Sequence, residues 1–289
     1  MLSALDTIIQ GVLLGGLYAL FAAGLSLIFG VMRLVNLAHG DMIIVAAFII
    51  LTLADLMGLG LLPALAVTLP LMFALGYGLQ FFLLNRVIGK DILPPLLITF
   101  GLSIVAQNGL LELYSADSRR LHAGDIETAS LTLMPGLTIG IMPLITLLTA
   151  IAVIVGLNQI FYRTAMGRAF RAVSDDPTTS QLMGIDNRRL FAIAMGIALA
   201  VCALAGLFLG IRANFDPSIG PARLIFAFEA VIIGGLGSLW GTLAGGIVLG
   251  IAQTVGAAIN PEWQLLFGHL AFLLVLLLRP RGLFPRSVD

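Results

Sequence analysis

The chain has 289 residues, of which 60% are hydrophobic and only 10% charged, and its formal net charge is zero. Soluble domains run at about a quarter charged, which excludes that class. Long continuous apolar runs, in place of short alternating ones, exclude a transmembrane barrel. The composition therefore reads as an all-α, polytopic helical membrane protein, a single transmembrane domain over residues 1–289.

A spanning helix needs roughly 20 apolar residues, and on that scale about nine segments are expected, within a range of about 8–10. They are Thr7–Val31, Asp41–Leu56, Leu61–Leu84, Leu93–Leu113, Leu137–Ile160, Leu190–Ile211, Leu224–Gly237, Leu239–Ala258 and Trp263–Leu278. Residues 1–6 carry no Lys or Arg and the first run is too long for a signal-peptide core, so it reads as a spanning helix and not a cleavable signal. Leu224–Gly237 is short for a full crossing. It reads as a broken or re-entrant helix buried in protein, the setting in which such backbone is tolerated.

Positive charge sorts the loops. The N-terminus, Met57–Gly60, Tyr114–Gly136, Arg212–Arg223 and Ile259–Glu262 hold four cations: Arg119, Arg120, Arg212 and Arg223. The alternate loops and the C-terminal tail hold eleven: Arg33, Arg86, Lys90, Arg163, Arg168, Arg171, Arg188, Arg189, Arg279, Arg281 and Arg286. This places the N-terminus outside and the C-terminus in the cytoplasm, provided that the uncharged run Ala230–Pro261 holds two segments. The outside loop Tyr114–Gly136 is too short for a ligand-binding domain and reads as a gate cover or a docking surface.

The polar island at 163–190 reads RTAMGRAFRAVSDDPTTSQLMGIDNRRL. A basic helix is expected over Thr164–Val173. Asp176 can cap a second, Pro177 suits its first position, and Gly184 can end it in a left-handed conformation, which gives a short helix over Pro177–Met183. Such a loop either meets a partner or is a solvated loop that sets topology.

Polar groups inside spans are functional candidates, because a charge there costs about 2.5–3.5 kcal/mol on insertion scales. Gln107, Asn108, Glu229 and Gln253 qualify, while Asn36, His39 and Asp41 cluster in VNLAHGD at the cytoplasmic end of the first two helices. The structural alternatives are interhelical hydrogen bonds for the amides and a capped turn in which Asp41 opens the second helix. Glu229 can reach the outer interface and pair with Arg212 or Arg223. No span contains paired acids facing paired bases, which argues against a proton relay and leaves sodium coupling through carbonyls and hydroxyls open. Gly11 with Gly15, Gly237 with Gly241 and Gly245, and Gly246 with Gly250 have the four-residue spacing of close helix packing. A pore wall of bare backbone is the other reading.

Cys202 is the single cysteine, so no disulfide or thiolate metal site is expected, and His39, His122 and His269 lack ligand-like neighbours at helical spacing. There is no phosphate-binding loop of the G-x-x-x-x-G-K-[ST] type and no protease constellation. The chain reads as one membrane part of a larger machine whose energy is supplied elsewhere, with no cofactor of its own.

Four stretches taken together resemble the branched-chain amino acid permease family of ABC importers: GGLYALFAAGLSLIFGVMRLVNLAHGD, MGRAFRAVSDDPTTSQLMGID, FEAVIIGGLGSLWGTLAGGIVLG and the tail LLLRPRGLFP. The resemblance runs from about Gly11 to Pro285. It implies the ABC importer permease fold in a bacterial inner membrane, as the smaller of two homologous permeases in a heterodimer. It also implies two cytoplasmic subunits that hold ATP and Mg, a periplasmic solute-binding protein, and no nucleic acid. It further implies that Arg171–Asp186 couples to the ATPases, with Pro177–Gly184 as coupling helix, Ala172 and Gly184 as close-packing positions, and Arg168, Arg171, Asp175, Asp176 and Asp186 around them. The expected translocation path is Asn36, His39, Gln107, Asn108 and Glu229, which suits a zwitterion or a neutral amide. The family resembled also includes urea and short-amide permeases, in which the binding protein sets specificity. An ion-coupled secondary transporter working alone and a non-transport scaffold are the readings from other classes.

Overall fold

A computed structural model describes residues 2–88, 91, 93–134 and 137–284. Lys90 and Arg286, two of the counted cations, lie outside the described residues, as do Gly136 and Pro285. The helices are α1 (Leu2–Met32), α2 (His39–Met57), α3 (Leu61–Gly78), α4 (Leu93–Tyr114), α5 (Ile141–Arg163), α6 (Ala165–Asp175), α7 (Pro177–Leu182), α8 (Asn187–Arg212), α9 (Gly220–Gly234), α10 (Leu239–Ile259) and α11 (Gln264–Leu278). A hairpin of β1 (Ser130–Met134) and β2 (Leu137–Gly140) precedes α5.

Nine helices fall on the nine expected segments, and α6 with α7 forms the island. Among the described residues, seven spans are long and apolar enough to cross a membrane, and α2 and α9 are not among them. With 15 residues, α9 rises about 22 Å, short of the roughly 30 Å hydrocarbon core.

Boundaries differ from expectation for local reasons. Leu137–Gly140 is strand, because its polar–apolar alternation matches that of β1 and pairs Leu131 with Ile139 and Thr132 with Thr138. α9 begins at Gly220 and not Leu224, since Pro221 suits a first turn. α2 begins at His39 and not Asp41; Asn36 Oδ1 accepts the Ala38 amide at 3.1 Å and orders the turn. α6 runs two residues beyond Val173, and Thr164 stays outside as its cap; α7 ends at Leu182, one residue early.

The backbone forms two compact units. One comprises Met1–Ala23, His122–Ile154 and Phe226–Asp289, the other Gly24–Leu121 and Val155–Ile225. In the first, α1 packs on α10 through facing glycines. A side chain added at Gly15 would lie 2.5 Å from Ile247 Cα, and one at Gly246 would lie 2.7 Å from the Gly15 carbonyl. α10 also closes on α9: Gly234 and Gly241 touch backbone to backbone, after a turn in which Gly237 has φ +77°. In the second unit α8 packs against α2 and α3. Gly206 meets the Ile43 carbonyl and Gly76 the Met195 carbonyl, each leaving only 2.6 Å for a side chain.

Candidate functional site

The island folds into two capped helices fastened to the ends of longer ones. α6 is amphipathic: Gly167, Phe170, Val173 and Ser174 are buried, while Arg168, Ala172 and Asp175 are exposed. Thr164 Oγ1 accepts the Gly167 amide at 3.0 Å, as an N-cap does. Gly167 sits flat on the Ile160 and Phe161 carbonyls, Arg171 donates to the Phe161 carbonyl and stacks over Tyr162, and Ser174 Oγ donates to the Gly30 carbonyl at 2.8 Å. α6 is thereby tied to α5 and to the end of α1.

Asp176 caps α7 by accepting the Thr178 and Thr179 amides at 2.9 and 3.1 Å. The Thr179 hydroxyl, then its amide, hold the Asp176 carboxyl below the usual carboxylate range. That contribution to the cap is present above the ordinary carboxylate value and lost only as pH falls through the lowered one. Gly184 ends the turn at φ +83° with open space around it. Asn187 Nδ2 donates to the Pro177 carbonyl at 2.7 Å, and Asp186 caps α8 and pairs with Arg189 at 3.0 Å. A groove of about 670 Å³, lined in part by Arg33, Asn85, Pro177, Gln181, Asn187 and Arg188, separates α7 from the ends of α1 and α8. Leu182 and Met183 project from the far end of α7, 83% and 78% exposed.

Three of the five expected pathway residues gather near the start of α2 or beside it. Asn36 is buried against Met195 and His39 against Cys202, whose Sγ is 3.7 Å from Nδ1. Gln107 Nε2 donates at 3.0 Å to Ser103 Oγ, which donates at 2.5 Å to Asp41 Oδ2. Ser103 lies midway along the 22-residue α4, so Asp41 sits at mid-helix depth and not at the end of the first helix pair. The chain turns back at Arg33, φ +52°, before α2 starts, a reversal that apolar runs do not reveal. Asn108 is exposed on the outer side of α4 and bonds its own helix at Ile104.

Glu229 belongs to the other unit. Its partner is His269 on α11, not Arg212 or Arg223. This is a single acid–base pair between two helices, whose members are 40 residues apart with α10 folded between them. Near the same helices Tyr18 donates to Gln253 Oε1 at 2.5 Å, the interhelical bond expected of that amide.

The family model for branched-chain amino acid transport system permease components matches residues 7–276. The chain belongs to this family. The permease is 31% identical over 303 residues to BraD, a high-affinity branched-chain amino acid transport system permease protein of Pseudomonas aeruginosa, across 98% of this chain and 96% of BraD. It is 30% identical over 307 residues to LivH of Escherichia coli K12, with the same shares covered. LivM, of the same strain and the same transport system by name, is 25% identical over 292 residues, which span 94% of the permease and 68% of LivM. The permease thus matches BraD and LivH nearly end to end and covers only part of the longer LivM.

Proposed function

We propose that the permease carries branched-chain amino acids inward through a bacterial inner membrane, in an ATP-driven complex whose ATPases grip α6 and α7. The supporting observation is the island itself. A pair of capped helices is bonded to α1, α5 and α8 and presents Leu182 and Met183 largely exposed. Apolar tips so exposed beyond a span fit a groove on a partner, and the ties below carry its movement to three spanning helices.

On this reading two cytoplasmic subunits bind ATP and Mg and perform the hydrolysis, and a periplasmic binding protein delivers the solute. A longer homologous permease completes a heterodimer, as the coexistence of LivH and LivM in one strain supports. The N-terminus lies outside and the C-terminus in the cytoplasm. Arg168, Arg171, Ala172, Asp175, Asp176, Pro177, Gly184 and Asp186 form the coupling segment. Asn36, His39 and Gln107 line the path in the second unit; Asn108 belongs on the outer side of α4, and Glu229, in the first unit, is engaged with His269.

The test is a pair of substitutions at Gly184. Either incurs the strain of φ +83°, about 1–2 kcal/mol, but only Gly184→Trp adds bulk beside Leu182 and Met183. Gly184→Trp is expected to insert normally and to lose ATP-driven uptake, with Gly184→Ala largely active. Normal uptake by Gly184→Trp at normal membrane abundance would contradict the assignment.

A further inference from the structure

Two helices begin deep within the second unit. α2 starts at His39 and α9 at Gly220, and the two starts meet. A side chain on Gly40 would strike the Gly220 carbonyl and lie 2.8 Å from the Leu224 amide, and one on Gly220 would strike the Asp41 carboxylate. Asp41 is level with Ser103, midway along α4, so both starts lie there too. Each helix start carries the equivalent of about half a positive charge, from aligned peptide dipoles and unpaired N–H groups. Broken helices in transporters aim such ends at anionic groups of the solute.

One carboxylate shares this junction. Asp41 is 1% exposed. Ser103 Oγ engages its Oδ2 and is itself steadied by Gln107, while Oδ1 has no hydrogen-bond partner among the described residues. No cation among the described residues forms an ion pair with it. Burying a carboxylate half satisfied is costly, and a ligand that completes it offsets that cost. A negative oxygen beside two positive helix ends is the complement of an α-amino acid head group.

We propose that the junction of α2, α4 and α9 is the head-group site of the transported solute, a zwitterionic α-amino acid. Asp41 Oδ1 takes the ammonium, and the amides of Gly40 and Asp41 in α2 and of Gly220 and Ala222 in α9 take the carboxylate, since Pro221 has no N–H and the His39, Met42 and Arg223 amides bond backbone carbonyls. Ser103 and Gln107 are positioning residues that hold Oδ2 and leave Oδ1 for the solute. The structure shows the site closed, with Gly40 and Gly220 backbone to backbone, and withdrawal of the α9 start opens it. The proposal deepens the importer reading and rests on it; it selects amino acids over the neutral amides that the sequence left open.

The test uses the complete complex, with its partner subunits and leucine-loaded binding protein, in proteoliposomes. Asp41→Asn is expected to lower ATP-driven leucine uptake about tenfold or more, the loss of one charge-assisted hydrogen bond, and Asp41→Glu to restore part of it. A readout that a merely structural Asp41 would not move is labelling by dicyclohexylcarbodiimide, which modifies carboxyls in apolar surroundings, read by mass spectrometry of the Asp41 peptide. Leucine is expected to protect Asp41 in the unsubstituted complex. Isocaproate, without the ammonium, and isoamylamine, without the carboxylate, are expected not to. Uptake by Asp41→Asn within about twofold of the unsubstituted complex, or labelling unchanged by leucine, overturns the proposal. If the variant fails to accumulate, the labelling decides alone. Leucine uptake that needs no ATP in the unsubstituted complex sinks the importer reading instead, and protection of Asp41 remains a separate result.

Discussion

A carboxylate buried among membrane helices must be neutralised, paired or hydrogen-bonded, and the fold treats Asp41 and Glu229 differently. Asp41 leans on a hydroxyl and keeps one oxygen unfilled. Glu229, 4% exposed, is paired with His269, whose side chain is 44% exposed and so stays within reach of the surroundings. Removing the imidazole leaves a buried acceptor without its donor, at a cost of about 1–3 kcal/mol. His269→Ala should therefore lower the unfolding midpoint of the detergent-purified chain, and Glu229→Gln should lower it less, since the amide still bonds the ring. The double variant should be less destabilised than the sum of the two. Strict additivity would mean that the pair carries no coupling and that His269 only fills space.

At the scale of elements, the fold depends on helices that approach without side chains between them. Gly15 of α1 lies on Ile247 of α10, so Gly15→Leu has no room and forces the helices apart, costing about 1–3 kcal/mol or more. Gly156 of α5 has nothing within 4 Å of an added side chain, and Gly156→Leu should leave the unfolding midpoint unchanged. Equal effects from both would mean that glycine removal acts through helix propensity and not through the α1–α10 contact. What could be read from the residues beforehand follows the range of the signal. Apolar runs marked nine helices because spanning length is a local property. The Asp176-Pro177 start and the Gly184 stop of α7 were visible because caps are made within a few residues. The four-residue strand β2 was absorbed into an apolar run because a spanning-length window is wider than a strand. The depth of Asp41 depends on the backward turn at Arg33, and the Glu229–His269 pair on the path of α10, and neither leaves a local mark.

For the whole molecule, the chain makes sense as one part of a machine. On the proposed reading its spans supply a path, its island supplies a handle, and partner subunits supply the motion. The most direct test is copurification from nanodiscs of the complex encoded with this chain, followed by ATP hydrolysis with and without leucine-loaded binding protein. Two ATPases and a longer permease should come down with the chain, and the loaded binding protein should stimulate hydrolysis in step with uptake. A chain that purifies alone and moves leucine under an ion gradient without ATP would contradict the account. The island would then be a topology-setting loop, and the Glu229–His269 pair the place to look for proton coupling.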